Sequence, residues 1–268
     1  MVHSKIQSSY LIATIFIIAV SLCLTTGCAK KSRLITEQVA PNVYRITVSR
    51  SNIYLITGKT LILVDTGMPG DGPEVLKAIA ATGRSPAEVS HILITHSHTD
   101  HIGSLAFLKK ATGAQVIAGT PEVDYIQGKK KPWQMARAGF SGKLFKIMLF
   151  FAETFIFTRE PAVVDQACSG GEVIDCNGGI TVIATPGHSP GSISYYLPDK
   201  RILFTGDVLS GEPEAKLPPR AGCADYPQAL LSVKKLTALS FDICCFGHGT
   251  PVTRGAAALA KKLLSPSP

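Results

Sequence analysis

The 268-residue sequence has no C-x-x-C spacing among its seven cysteines, so nothing in it suggests a zinc knuckle built on thiolates. It also lacks any run of basic residues interleaved with aromatics of the kind that nucleic-acid modules carry, and no nucleic-acid partner is expected. Lys and Arg nonetheless outnumber Asp and Glu by 27 to 19, a net charge of +8. That surplus favours anionic surfaces or substrates at long range, and it is equally the ordinary surface of a basic soluble protein. No low-complexity linker divides the chain. No apolar run reaches the ~20 residues that comfortably cross a bilayer.

An apolar run does occupy residues 10–24, preceded by Lys5 and ended by Thr25-Thr26-Gly27-Cys28. Its length, about 15 residues, is that of the hydrophobic region of an export signal, and residues 1–27 are expected to be such a leader. Gly27-Cys28 followed by Ala29 and Lys30 resembles a bacterial lipoprotein cleavage site, with Cys28 as the lipid-bearing first residue of the mature chain. Thr25 departs from that pattern, standing where Leu is usual, with Leu24 one position early. Ordinary secretion and an uncleaved anchor are the alternatives. All three place residues 28–268 outside the cytoplasm, in the cell envelope or beyond, with a membrane contact through the lipid or the leader. Export permits disulfides. With Cys23 in the leader and Cys28 lipidated, Cys168, Cys176, Cys223, Cys244 and Cys245 remain, an odd number that cannot all pair. Cys168 and Cys176 either bridge a short loop or are small buried hydrophobes.

The 46% hydrophobic content is enough for a sizeable core. Short β-rich runs at residues 43–48, 53–57 and 61–65 read as neighbouring strands, and Gly67, Pro69, Gly70 and Gly72 then break the pattern. Val75, Leu76, Ile79 and Ala80 fall at helical spacing within 73–81. The apolar, β-branched run 89–95 is expected to be a buried strand that delivers His96 into a loop. A helix over 102–111, a strand at 115–118 and a helix from about Pro121 follow. Strands at 180–184, 192–197 and 201–205, a helix over 226–239, a strand at 242–246 and a helix over 253–264 complete the chain. Such alternation argues for an α/β protein of two helix-backed sheets packed face to face. A segment at about 129–158 stands apart: Lys129-Lys130-Lys131 and Trp133 precede a run dominated by Leu and Phe and interrupted by Lys146 and Glu153. It is expected to be a helical insert, either covering a site or resting on lipid, or an ordinary pair of core helices.

The densest chemistry lies in Thr95-His96-Ser97-His98-Thr99-Asp100-His101-Ile102-Gly103. Alternate residues of an extended loop project to one side, so His96 and His98 share a face, while Asp100 and His101 sit at the turn into a helix. Imidazole and carboxylate donors together suit zinc, manganese or iron. Three more candidates each follow a strand beside glycine: His188 in Pro186-Gly187-His188-Ser189-Pro190-Gly191, Asp207 in Phe204-Thr205-Gly206-Asp207, and His248 in Phe246-Gly247-His248-Gly249. Core packing does not predict that repetition; an active site at one edge of a sheet sandwich does. His91, on a strand, and His3, in the leader, are assigned no chemistry.

With these motifs, H-x-H-x-D-H, G-H-S-P-G-S, F-T-G-D and F-G-H-G, the chain resembles the metallo-β-lactamase superfamily, and more closely its glyoxalase II-like branch, from about Val43 to Leu264. The resemblance implies a four-layer αββα sandwich and two divalent metal ions, zinc first, with iron or manganese as alternatives. His96, His98 and His188 would hold one metal and Asp100, His101 and His248 the other, with Asp207 bridging. Asp65, in Val64-Asp65-Thr66-Gly67, would orient a ligand histidine from the second shell. The implied chemistry is hydrolysis of an ester, thioester or lactone of a small molecule by a hydroxide shared between two cations. Asp100 would orient that hydroxide or pass its proton to the leaving group.

Departures from subfamily patterns narrow the reading. Asp207 argues against β-lactamases, which generally place Cys or Ser there, and His98 argues against flavodiiron proteins, which carry Glu. Only residues 249–268 follow His248, too few for the glutathione-binding helical domain of glyoxalase II proper. Ser210 stands where homoserine-lactone hydrolases have tyrosine. Two alternatives stay open: a mononuclear iron persulfide dioxygenase, and a non-catalytic envelope protein that retains its metals.

Overall fold

The structure is a computed structural model that describes residues 34–131 and 158–265. The leader 1–27, Cys28 and most of the expected helical insert lie outside the described residues. Among the described residues, no helix is long and apolar enough to cross a membrane.

Strands β1 (Ile35–Ala40), β2 (Val43–Thr47), β3 (Asn52–Ile56) and β4 (Leu61–Val64) form an antiparallel meander. Strands β5 (Val89–Leu93), β6 (Gln115–Gly119) and β7 (Gln166–Cys168) extend it in parallel, giving a seven-stranded sheet in sequence order. Strands β8 (Val173–Ile174), β9 (Ile180–Ala184), β10 (Ile193–Leu197), β11 (Ile202–Gly206) and β12 (Ile243–Phe246) form a second sheet, ordered β12-β11-β10-β9-β8, in which only the β11–β12 pair is parallel. Six helices are described: α1 (Gly72–Ala81), α2 (Thr99–Ile102), α3 (Leu105–Thr112), α4 (Val123–Ile126), α5 (Tyr226–Leu236) and α6 (Ala256–Leu263).

Side chains of a strand alternate between its two faces, and both faces of these central strands are apolar. Leu61 and Leu63 of β4 pack with Val75, Ile79 and Leu108 from α1 and α3. Ile62 and Val64 instead meet Ile180, Val182, Tyr195 and Phe204 of the other sheet. On the far side of that sheet, Leu203 and Cys244 pack with Val233 and Leu236 of α5 and Ala256 and Ala260 of α6. Three buried apolar clusters stacked in this way separate four layers, the αββα sandwich.

The sequence places most elements, with instructive exceptions. The helix expected over 102–111 is broken into α2 and α3 because Gly103 and Ser104 bond away from it: Gly103 N donates to Gly67 O at 2.8 Å, and Ser104 Oγ donates to Met68 O at 2.7 Å. Strand β1 offers no periodic apolar signal, its first four residues being exposed, and β7 and β8 are three and two residues long. All five described cysteines are free, so Cys168 and Cys176 are not bridged.

The carboxyl ends of β4, β5, β11 and β12 and the β9–β10 turn gather at one edge of the sandwich. Two backbone hydrogen bonds cross between the sheets there, Ile193 N to Thr95 O at 2.9 Å and Asn52 N to Gly247 O at 2.7 Å.

Candidate metal centre

Each of the seven candidate ligands sits just past an apolar strand at this edge, where the chain leaves the sheet and its side chains turn outward. His96 and His98 follow β5, Asp100 and His101 open α2, His188 lies in the β9–β10 turn, and Asp207 and His248 follow β11 and β12. The structure brings all seven together. His96, His98 and His188 form one group with donor atoms within 4.8 Å of one another; Asp100, His101 and His248 form a second; His96, His101 and Asp207 overlap both. His91 is bonded to its neighbour Ser90 in β5 and belongs to none of these groups.

Hydrogen bonds fix which nitrogen each imidazole offers. Asp65 holds φ +61°, in the left-handed region, at the end of β4. Its Oδ1 accepts from Thr95 N at 2.8 Å, and its Oδ2 accepts from Thr95 Oγ1 at 2.8 Å and from His101 Nδ1 at 2.9 Å. His101 therefore carries a proton on Nδ1 and turns Nε2 to the site, where a cation would take the lone pair in place of a second proton. Because the Thr95 hydroxyl has given its hydrogen to Asp65, it accepts from His96 Nδ1 at 3.1 Å, and His96 also presents Nε2. His248 Nδ1 faces Arg50 O at 3.2 Å, with the same result. One aspartate thus sets the tautomers of two histidines, the second through Thr95, a link that residue type alone does not reveal.

The nitrogens so presented crowd together. His98 Nδ1 lies 3.0 Å from His96 Nε2 and 2.9 Å from His188 Nε2. A single proton on His98 Nδ1 cannot satisfy both, whereas one cation accepts all three lone pairs. In the second group His248 Nε2 lies 3.1 Å from Asp100 Oδ2 and 3.4 Å from Asp207 Oδ2, and His101 Nε2 lies 3.5 Å from Asp207 Oδ1. His101 Nε2 and Asp207 Oδ1 are buried without a hydrogen-bond partner. Each such orphan costs about 1–3 kcal/mol, and a cation between them removes both penalties. The donor set is nitrogen and carboxylate oxygen without thiolate, which suits zinc, manganese or iron.

Protonation separates the two groups. Burial, reinforced by the neighbouring imidazoles, holds His96 well below the ordinary histidine range and His188 at about 3, so both are neutral. Burial also opposes the charged form of His101 and His248, but the carboxylates outweigh it. Asp100, Asp207 and Asp65 raise His101 to about 9, while Asp100 and Asp207 raise His248 to about 11. Asp100 and Asp207 are correspondingly held far below the carboxylate range against their own burial. The nearby Cys223 is pushed up to about 11 by burial and then by Asp207 and Asp225, so it is a thiol rather than a thiolate at neutral pH.

Two glycines make room for this packing. A Cβ on Gly247 would fall 2.1 Å from Asp207 Oδ1 and 2.8 Å from His101 Cε1. A Cβ on Gly206, whose φ is +54°, would fall 2.6 Å from Thr95 Oγ1.

Besides Thr95, Glu122 also escaped the sequence reading. Glu122, fully buried in the 3-10 turn Thr120–Glu122 after β6, accepts from Ser97 N at 2.9 Å, from the Ser97 hydroxyl, from Ser189 Oγ at 2.8 Å and from Gly191 N at 2.7 Å. It lies three residues past Gly119 at the end of β6, whereas Asp207 and His248 directly follow their strand-end glycines, so the glycine signal did not point to it.

A family model for the metallo-β-lactamase superfamily matches residues 46–248. The probable metallo-hydrolase YflN of Bacillus subtilis is 26% identical over 238 residues, which cover 81% of this chain and 87% of that protein. Hydroxyacylglutathione hydrolase GloC of Haemophilus influenzae is 29% identical over 217 residues, covering 78% and 91%. Among solved structures, BJP-1, a subclass B3 metallo-β-lactamase of Bradyrhizobium japonicum, matches with a TM-score of 0.65 at 25% identity, covering 88% of this chain and 93% of that one. A metallo-β-lactamase of Cronobacter sakazakii matches with a TM-score of 0.63 at 23% identity over 82% of this chain and 80% of that one. With the sandwich, the clustered His and Asp side chains and a family model spanning every candidate ligand, this chain belongs to the metallo-β-lactamase superfamily.

Proposed function

We propose that the protein is a hydrolase of esters, thioesters or lactones that works with two divalent cations, zinc first among them. The observation that carries this reading is the pair of buried polar atoms without a hydrogen-bond partner, His101 Nε2 and Asp207 Oδ1, inside a cluster of five histidines and two aspartates. His96, His98 and His188 would hold one cation and Asp100, His101 and His248 the other, with Asp207, which faces His101, His188 and His248, between them. Bound there, the pair would supply a water acidified to near neutrality as nucleophile and an electrophile for the scissile oxygen.

The chain's own residues do the rest. Asp65 and Thr95 hold His101 and His96 in the required tautomer, so no proton has to be rearranged as substrate arrives. His96 and His101 are sealed from solvent, whereas Asp100 is the most open of the acidic groups, its side chain 28% exposed. From that open side its carboxylate would orient the nucleophile or pass a proton to the leaving group. No thiolate competes for that part, since Cys223 keeps its proton. The similarity to a protein named hydroxyacylglutathione hydrolase supports the thioester class within this range.

The test is metal content and turnover on the same preparation. Two equivalents of zinc per chain and hydrolysis of a panel of simple esters, thioesters and lactones are expected. One iron with oxygen uptake on a persulfide, or no turnover by the fully metallated protein, would overturn the proposal. We also infer export, from the leader and Gly27-Cys28: Cys28→Ser is expected to move the protein from the membrane fraction to the soluble fraction, and unchanged retention would exclude a lipid as its sole anchor.

A further inference from the structure

We propose that Glu122 is a positioning residue for the first cation group, stapling the loop that carries His96 and His98 to the loop that carries His188. The assignment rests on the metal reading given above. The first loop comes from β5 of one sheet and the second from the β9–β10 turn of the other, so nothing within a single sheet fixes their separation. Glu122 spans that gap. One oxygen, Oε2, accepts from the amide and hydroxyl of Ser97, the residue between His96 and His98. The other, Oε1, accepts from Ser189 Oγ and Gly191 N, in the residues just after His188.

Two features make this more than an ordinary buried hydrogen bond. All four donors are neutral amides or hydroxyls, so among the described residues the fully buried carboxyl group is held between the loops by four neutral donors, two from each loop. A polar group buried away from water is costly unless hydrogen-bonded, and every hydrogen bond given for this one goes to the two loops that carry the ligands. The packing is also too close to allow slack. A Cβ on Gly191 would fall 2.9 Å from Glu122 Cγ and Oε1, and a Cβ on Gly119, at the end of β6, would fall 2.0 Å from Gly191 O. The turn after β6, the Ser97 loop and the Ser189 loop are therefore packed tightly against one another, and Glu122 ties together the two loops that bring His98 Nδ1 and His188 Nε2 to 2.9 Å. The second group, carried by α2 and by the ends of β11 and β12, makes no bond to Glu122.

Glu122→Gln keeps the shape but turns an amide toward donors. It is expected to weaken zinc at the first group by about 10–100-fold, the range typical of outer-shell partners, in competition with a chromogenic chelator. Cobalt substituted in place of zinc is expected to show an altered visible spectrum for that site, with the second site unchanged. The gain in Tm on adding zinc is expected to shrink, beyond any loss shared with the metal-free protein. Equal zinc affinity in wild type and variant, with Tm lowered alike with and without metal, would overturn the assignment and leave Glu122 a residue of the fold alone. Should Glu122→Gln fail to fold, Ser97→Ala and Ser189→Ala each remove one hydroxyl donor. A smaller loss of first-site affinity in both supports the proposal, and unchanged affinity in both overturns it. A wild-type chain that binds no zinc would instead overturn the metal reading itself.

Discussion

Asp65, Asp100 and Asp207 surround His101, and the balance they strike makes the two cation groups respond differently to pH. In the metal-free protein His96 and His188 are neutral near pH 7, whereas His101, raised to about 9, and His248, raised to about 11, are charged. Loading the second group at neutral pH must therefore expel protons from both Nε2 atoms, while loading the first expels none from His96 or His188. The affinity of the second group is predicted to rise with pH by about tenfold per unit for each proton released. That slope should weaken once pH passes about 9, where His101 is already neutral. Titration calorimetry in buffers of different ionisation enthalpy checks it, and zinc uptake without proton release at pH 7 would contradict it. The same shifts bear on the metal-free fold. Groups whose folded pKa is raised above the ordinary 6.5 stabilise below that value, and the contribution disappears as pH climbs through about 9 and then 11. Chelated protein is thus predicted to lose Tm over the window in which zinc binds more tightly. At this scale the ligands were legible because His and Asp announce themselves by type and spacing. Thr95 and Glu122 were not, because their roles depend on whom they touch across the fold.

The loops at the strand ends work as elements because glycine lets two backbones approach a side chain from opposite sides. Gly247 is the tightest case, since its missing Cβ would occupy the place of Asp207 Oδ1, 2.1 Å away, and press on His101. Gly247→Ala is predicted to displace both side chains, to reduce bound metal below the two equivalents proposed for the wild type and to lower kcat/KM by about 100-fold or more, the typical effect of an ångström-scale misplacement. Metal analysis of the purified variant with kinetics on one thioester substrate checks this; full occupancy with unaltered turnover would contradict it. The strands around these loops were readable from the sequence wherever both faces are buried or apolar residues alternate, as in β3, β4 and β11. β1 escaped because Ile35, Thr36, Glu37 and Gln38 face solvent at a sheet edge and carry no periodic signal. The division of α2 from α3 escaped because its cause, the bond from Gly103 to Gly67, joins residues 36 positions apart.

For the molecule as a whole, the site is a seam. One face of the cluster, with His96, His98, Asp100 and His101, belongs to the seven-stranded sheet, and the other, with His188, Asp207 and His248, belongs to the five-stranded sheet. The apolar cluster between the sheets holds their interior together, but at this edge direct backbone links such as Ile193 N to Thr95 O and Asn52 N to Gly247 O share the work with side chains that converge on a common point. Cations bound there, as proposed, would be cross-links as well as reagents, because each would be held from both sheets. A ligand present at 1,000 times its Kd stabilises a fold by about 4 kcal/mol, and in a domain of this size each kcal/mol moves Tm by about 2–4 °C. Removing zinc with a chelator at pH 7.5 is therefore predicted to lower Tm on the order of ten degrees, without unfolding the chain, since the three apolar clusters remain. The loss should also be local. Hydrogen exchange of the Ile193 and Asn52 amides, which bridge the sheets, is predicted to accelerate on chelation well before that of Leu63 and Val64 in the middle of the first sheet. Uniform acceleration across both sheets would mean that the metals stabilise the sandwich globally rather than closing this one edge.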